Sequence, residues 1–143
     1  MLAILSCPPV QADGGAANVT LKANIVSPPS VITDEARGVG TTRATMSGNL
    51  TSLGTASSVA VSFGWDIEPR AEDAYTNWTP PEVMTYTGEF SYRVIDLIPG
   101  TTYYFRAKAE GDVTSYGEEM SFTTTPRGRW WRWLESFISW LGL

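Results

Sequence analysis

The sequence contains no histidine, a single cysteine (Cys7) and ten basic residues against 15 acidic ones, for a net charge of −5. Without histidine there is no His-based triad and no imidazole metal site, and a lone cysteine rules out an intrachain disulfide. A membrane-spanning helix takes about 20 consecutive apolar residues, and no stretch approaches that. Phosphate recognition needs clustered Lys and Arg, so the acidic balance excludes nucleic acid as a partner. The charge is uneven, however. Residues 127–143 set Arg127, Arg129 and Arg132 against Glu135 alone, giving +2 and leaving −7 for the preceding 126 residues.

What the chain does have is material for a core. At 43% hydrophobic and 17% charged residues it folds rather than staying disordered, and 143 residues give one domain plus extensions. Between residues 17 and 125 apolar positions alternate with polar ones in short runs bounded by turn residues, which predicts half-buried antiparallel strands. "NVTLKANIV" puts Val19, Leu21, Ala23 and Ile25 on one face. "PPSVIT" follows a Pro-Pro break and suits a sheet edge, because proline donates no ladder hydrogen bond. "TRATMSGNL" alternates Ala44, Met46, Gly48 and Leu50, and "SSVAVSFGW" alternates Val59, Val61, Phe63 and Trp65. "GEFSYRVIDL" presents Phe90, Tyr92 and Val94, with Leu97 breaking the period. "TYYFRAKAEG" presents Tyr103, Phe105, Ala107 and Ala109, and "GEEMSFTTT" offers Met120 and Phe122. About seven such strands predict an all-β, antiparallel immunoglobulin-like sandwich. No helix of useful length fits before residue 126.

The most specific stretch is "LIPGTTYYFRAKA". This run resembles the E–F corner and F strand of fibronectin type III domains, and the likeness extends over residues 28–125 with the strands in that family's order. It implies that the Leu97-x-Pro99-Gly100-Thr101-x-Tyr103 run turns the chain between sheets, with Pro99 and Gly100 supplying the turn dihedrals and the Tyr103 phenol bonding back to the corner backbone while its ring enters the core. The resemblance implies a non-catalytic sandwich with a tyrosine corner. One departure stands out: the family's core tryptophan late in strand B is missing, and "MSGNL" puts Gly48 there. Trp65 is expected to fill that space from the opposite sheet. No Arg-Gly-Asp tripeptide is present.

The segment "DIEPRAEDAYTNWTPPEV" (66–83) is long for a sandwich connection, where about 4–6 residues is usual. Tyr75 and Trp78 could stack a glycan or protein partner, and the surrounding carboxylates could be read as calcium ligands. The alternative is a loop pinned over the sheet edge by its own aromatics, with a solvated acidic rim. The segment lacks the ligand rhythm and turn glycine of a calcium loop, so no metal and no cofactor is expected. A paired-carboxylate hydrolase could be imagined from Glu68 and Glu72 with Asp96 or Glu110, but no nucleophile elbow or phosphate loop accompanies them, and the chain is expected not to be an enzyme. Asn18, Asn49 and Asn77 each begin an Asn-x-Thr triplet, a pattern that a threonine-rich chain produces by chance.

The two ends differ from the middle. Residues 1–12 look like the remnant of a secretory signal, with a short apolar patch and with Val10 and Ala12 at the small-residue positions before a cut ahead of Asp13. "ILSC" is also similar to a bacterial lipobox, which would make Cys7 a lipid-attachment residue. Residues 13–27 are expected to form an extension or first strand. At the other end, advancing 100° per residue from Trp130 puts Trp130, Trp131, Trp133, Leu134, Phe137, Ile138, Trp140 and Leu141 within an arc of about 180°. Arg132, Glu135 and Ser136 fall opposite. This predicts, within the segment 126–143, an amphipathic helix of about 14 residues, roughly 21 Å long and too short to span a bilayer. Its apolar face could lie on a membrane surface beside Arg127, Arg129 and Arg132, pack on protein in the same or a neighbouring copy, or open a membrane segment that continues. Together these features lead us to expect an exported, non-catalytic cell-envelope module for adhesion or assembly, tethered by its terminal helix. A self-associating structural subunit and a glycan-binding module are the alternatives.

Overall fold

In a computed structural model, residues 23–128 and 138–142 are described. The chain runs through β1 (Ser30–Arg37), β2 (Ala44–Ser52), β3 (Val59–Asp66), β4 (Asn77–Trp78), β5 (Glu82–Met84), β6 (Gly88–Val94), β7 (Thr102–Glu110), β8 (Thr114–Tyr116) and β9 (Met120–Thr123). One sheet has the order β1-β2-β6 and the other β4-β3-β7-β8, with β5 also on β3 and β9 also on β7; all pairings are antiparallel. The alternation in the sequence dictates this architecture. Met46 and Leu50 of β2, Val59, Val61 and Phe63 of β3, and Phe105, Ala107 and Ala109 of β7 are buried between the sheets. Each large apolar side chain so buried contributes about 1.5–3 kcal/mol.

Leu97–Tyr103 forms the predicted corner. The Ile98 amide donates to the Tyr103 hydroxyl at 2.9 Å while the ring, buried, stacks on Phe122 with centroids 5.6 Å apart. Gly100 turns the chain after Pro99 at φ +66°, a conformation with little cost for a residue without a Cβ.

Two strands are interrupted, each for a visible reason. Thr79-Pro80-Pro81 separates β4 from β5, since neither proline can donate to β3. Thr79 compensates by bonding Phe63 twice, its amide donating to the Phe63 carbonyl and its hydroxyl accepting the Phe63 amide, both at 2.9 Å. Residues 117–119 separate β8 from β9. There the Gly117 amide donates to the Ala107 carbonyl at 2.9 Å, and the Ala107 amide, left without a strand partner, donates to the Thr33 hydroxyl of β1 at 3.0 Å. A Cβ on Gly117 would lie 2.4 Å from that hydroxyl, so the plug requires glycine.

Three expectations need correction. Ala23–Val26 form no strand: residues 23–29 carry no regular structure and Ile25 is exposed, while Val19 and Leu21 lie outside the described residues. Pro28 and Pro29 stop any ladder from extending backwards, and the Ser27 carbonyl instead accepts the Thr55 amide at 3.0 Å. Trp65 does not fill the space over Gly48. A Cβ there would meet Phe90 at 3.0 Å and Phe63 at 3.3 Å, and these rings sit 4.9 Å apart, whereas Trp65 lies half-buried and edge-on to Tyr103. Tyr92 alternates with buried Phe90 and Val94 yet is 39% exposed, because it stands where the sandwich is open between β6 and the β4–β5 edge.

Candidate binding surface

The long segment after β3 folds back over the outer face of the β3–β7 sheet. Gly64 makes room for it: a Cβ there would come within 2.8 Å of the Tyr75 ring and 2.9 Å of the Trp78 ring. The two rings meet edge-to-face at 6.0 Å, the Trp78 indole donates to the Tyr75 carbonyl at 3.0 Å, and the Lys108 ammonium lies 5.3 Å from the Trp78 ring centre.

Polar contacts close both ends of the loop. Asp66 accepts from the Ile67 amide at 2.7 Å, the Thr76 hydroxyl at 2.6 Å and Arg70 Nε at 3.2 Å. The hydrogen bond from Thr76 is the main influence holding its carboxyl below the usual aspartate value. Farther along, the Tyr75 hydroxyl donates to Glu119, which also accepts the Arg70 amide at 3.1 Å. Burial, followed by the neighbouring Glu119 carboxylate, pushes the Tyr75 phenol up to about 12.

These contacts decide what the sequence-selected residues do. Tyr75 is 4% exposed, so its ring pins the loop and offers no stacking platform; this corrects that part of the glycan-site expectation. Trp78, 37% exposed, keeps one accessible flank beside Lys108. The carboxylates face cations rather than one another: Glu68 lies 3.3 Å from Arg70, Glu72 3.8 Å from Arg106 and Glu110 3.0 Å from Lys108. Arg106 Nε is buried without an acceptor among the described residues. Also among the described residues, no group of three or more Asp, Glu, Cys or His side chains could hold a metal ion. Of the Asn-x-Thr triplets, Asn77 turns its amide to the Trp65 carbonyl at 3.3 Å and Thr79 is buried, so that triplet belongs to the sheet edge.

Sequence reasoning missed Glu119, Arg70 and Lys108 as parts of this surface. The outward alternation of Arg106 and Lys108 along β7 was readable, but nothing local ties Glu119 to a tyrosine 44 positions earlier.

Of the terminal segment, Arg127 is exposed, and Ile138–Trp140 form a helical turn that ends where the Gly142 amide reaches the Ser139 carbonyl at 3.3 Å. Ile138, Trp140 and Leu141 are all exposed, Trp140 at 81%. Arg129, Trp130, Trp131, Arg132, Trp133, Leu134 and Phe137 lie outside the described residues. Among the described residues no helix is long and apolar enough to cross a membrane.

No protein-family model matches the chain, and no curated protein matches it. Its fold is nevertheless shared with solved structures. The solution structure of the sensor domain of the anti-sigma factor RsgI4 from Pseudobacteroides cellulosolvens is 18% identical at a TM-score of 0.54, over 69% of this chain and 76% of that one. A shorter form of the same sensor domain is 19% identical at 0.50, over 72% of this chain and 100% of that one. The fibronectin type-III domain of human fibronectin type III domain containing protein 3 is 20% identical at 0.50, over 74% of this chain and 94% of that one. The fold is a divergent fibronectin type III-like sandwich.

Proposed function

We propose that the chain is an exported, non-catalytic sandwich module held at a cell envelope through its tryptophan-rich C-terminal segment, where it serves adhesion or assembly. The observation that carries this reading is the exposure of Ile138, Trp140 and Leu141 together. Large apolar side chains exposed to solvent and close together in sequence are the kind that lipid or protein covers. Tryptophan beside arginine suits the boundary between headgroups and acyl chains, and Arg127, Arg129 and Arg132 supply attraction to anionic lipid. The signal-like residues 1–12 support export. The pairing of the loop carboxylates with cations, and the likeness in fold to sensor and fibronectin type III domains, support a role without catalysis.

The test is co-sedimentation with anionic and with neutral liposomes, comparing the full chain with one ending at Pro126. The nine strands of the described residues, and the Thr124 and Thr125 amides that bond Thr101 and Gly40, precede that cut. The reading expects the full chain alone to sediment, and with anionic liposomes above all. Equal behaviour of the two chains would remove the anchoring role.

A further inference from the structure

We propose that the free edge of β6 is a self-association surface, on which two copies of the chain pair antiparallel through Gly88–Val94 with the two-fold axis at Ser91. This goes beyond the terminal segment and does not depend on it.

Exposed strand edges are pairing templates unless they are bent, broken or covered, and most edges of this sandwich are. β1 has irregular register at Ser30/Val31 and at Asp34/Arg37, and its Thr33 is packed against Gly117. The β4–β5 edge is broken by Pro80 and Pro81, and the β8–β9 edge by residues 117–119. By contrast β6 runs seven residues without proline or register shift against β2, and among the described residues no strand covers its other side.

The residues on this edge select a partner strand. With Ser91 opposite Ser91, Glu89 of each copy faces Arg93 of the other, and Phe90 of each faces Tyr92. Both kinds of directly opposed pair are favourable in antiparallel sheets. Moving the register by two places opposes Glu89 to Ile95 or to Ser91 and loses both ion pairs; a one-place slip would put core-facing side chains outside. Glu89 and Arg93 are exposed, and neither forms an ion pair among the described residues, so both are available. An edge guarded by charges of one sign would repel its own copy, whereas this arrangement attracts it.

Shape agrees with charge. A crevice of about 280 Å³ lies between the β4–β5 edge of one sheet and β6 of the other, lined by Phe63, Pro80, Pro81, Phe90 and Tyr92. Opposed side chains lie about 5 Å apart, so Tyr92 of the second copy falls beside Phe90 at the mouth of this crevice. That pairing would cover the exposed Tyr92, which the single sandwich leaves at an open edge.

Sedimentation velocity over a concentration series, on the full chain and on three variants, tests this. Glu89→Arg and Arg93→Glu each turn both attractive pairs into repulsive ones and should weaken the dimer about tenfold or more. The double variant Glu89→Arg/Arg93→Glu exchanges the charges and should restore it, which also shows that the single changes did not act by unfolding the chain. Absence of any dimer up to the solubility limit overturns the proposal. So does association unchanged in all four proteins, which would belong to the terminal segment or another surface. Failure of the double variant to recover would overturn the Ser91-centred register.

Discussion

Thr33 shows how much one hydroxyl can decide. The break between β8 and β9 leaves the Ala107 amide inside the sandwich without a strand partner, and the Thr33 hydroxyl is its acceptor at 3.0 Å. Replacing the hydroxyl by a methyl of the same shape leaves a buried donor unsatisfied, which costs about 1–3 kcal/mol. Thr33→Val should therefore lower the unfolding free energy measured in urea by that amount, moving the midpoint down, and Thr33→Ser, which keeps the oxygen, should lose less. An unchanged midpoint in Thr33→Val would mean that water or a backbone shift satisfies Ala107. Nothing in the sequence near Thr33 announces this role. The need arises at Gly117, and a strand pattern read alone sees only an inward polar residue.

At the scale of elements, the long strands were legible because each has one buried face, and a period of two is hard to imitate. Met46 and Leu50, Val59 to Phe63, and Tyr103 to Ala109 are buried as their alternation requires. Two- and three-residue strands such as β4, β5 and β8 carry no period, so they went unseen. The loop between β3 and β5 was legible as an oddity but not as a latch, because its pins join residues far apart in sequence. Its central contact can be read by titration. The Tyr75 phenol sits at about 12 in the fold against an ordinary value of 10.0. A raised value means the folded state holds the proton more tightly. The stability that this contributes is fully present below pH 10, and it falls as pH rises from 10 towards 12. Tyr75→Phe should remove one tyrosinate forming near pH 12 from the alkaline absorbance titration, together with that component of the stability loss. Identical titrations for the two proteins would contradict the latch.

For the whole molecule, the contrast is between an acidic sandwich at −7 and a basic, aromatic end at +2. The corner "LIPGTTYYFRAKA" made the fold readable, since the dihedrals and the buried phenol it encodes have one structural solution. The function was less readable because contacts made with other molecules leave no period in the sequence. Attachment through that end is the central claim, and the tryptophans report on it directly. Four of the six lie beyond Pro126, and only Trp65 and Trp78 remain in a chain that stops there. Tryptophan emission recorded as anionic vesicles are added should shift to the blue in the full chain and stay fixed in the chain ending at Pro126. No shift in the full chain, or the same shift in both, would contradict attachment through the terminal segment.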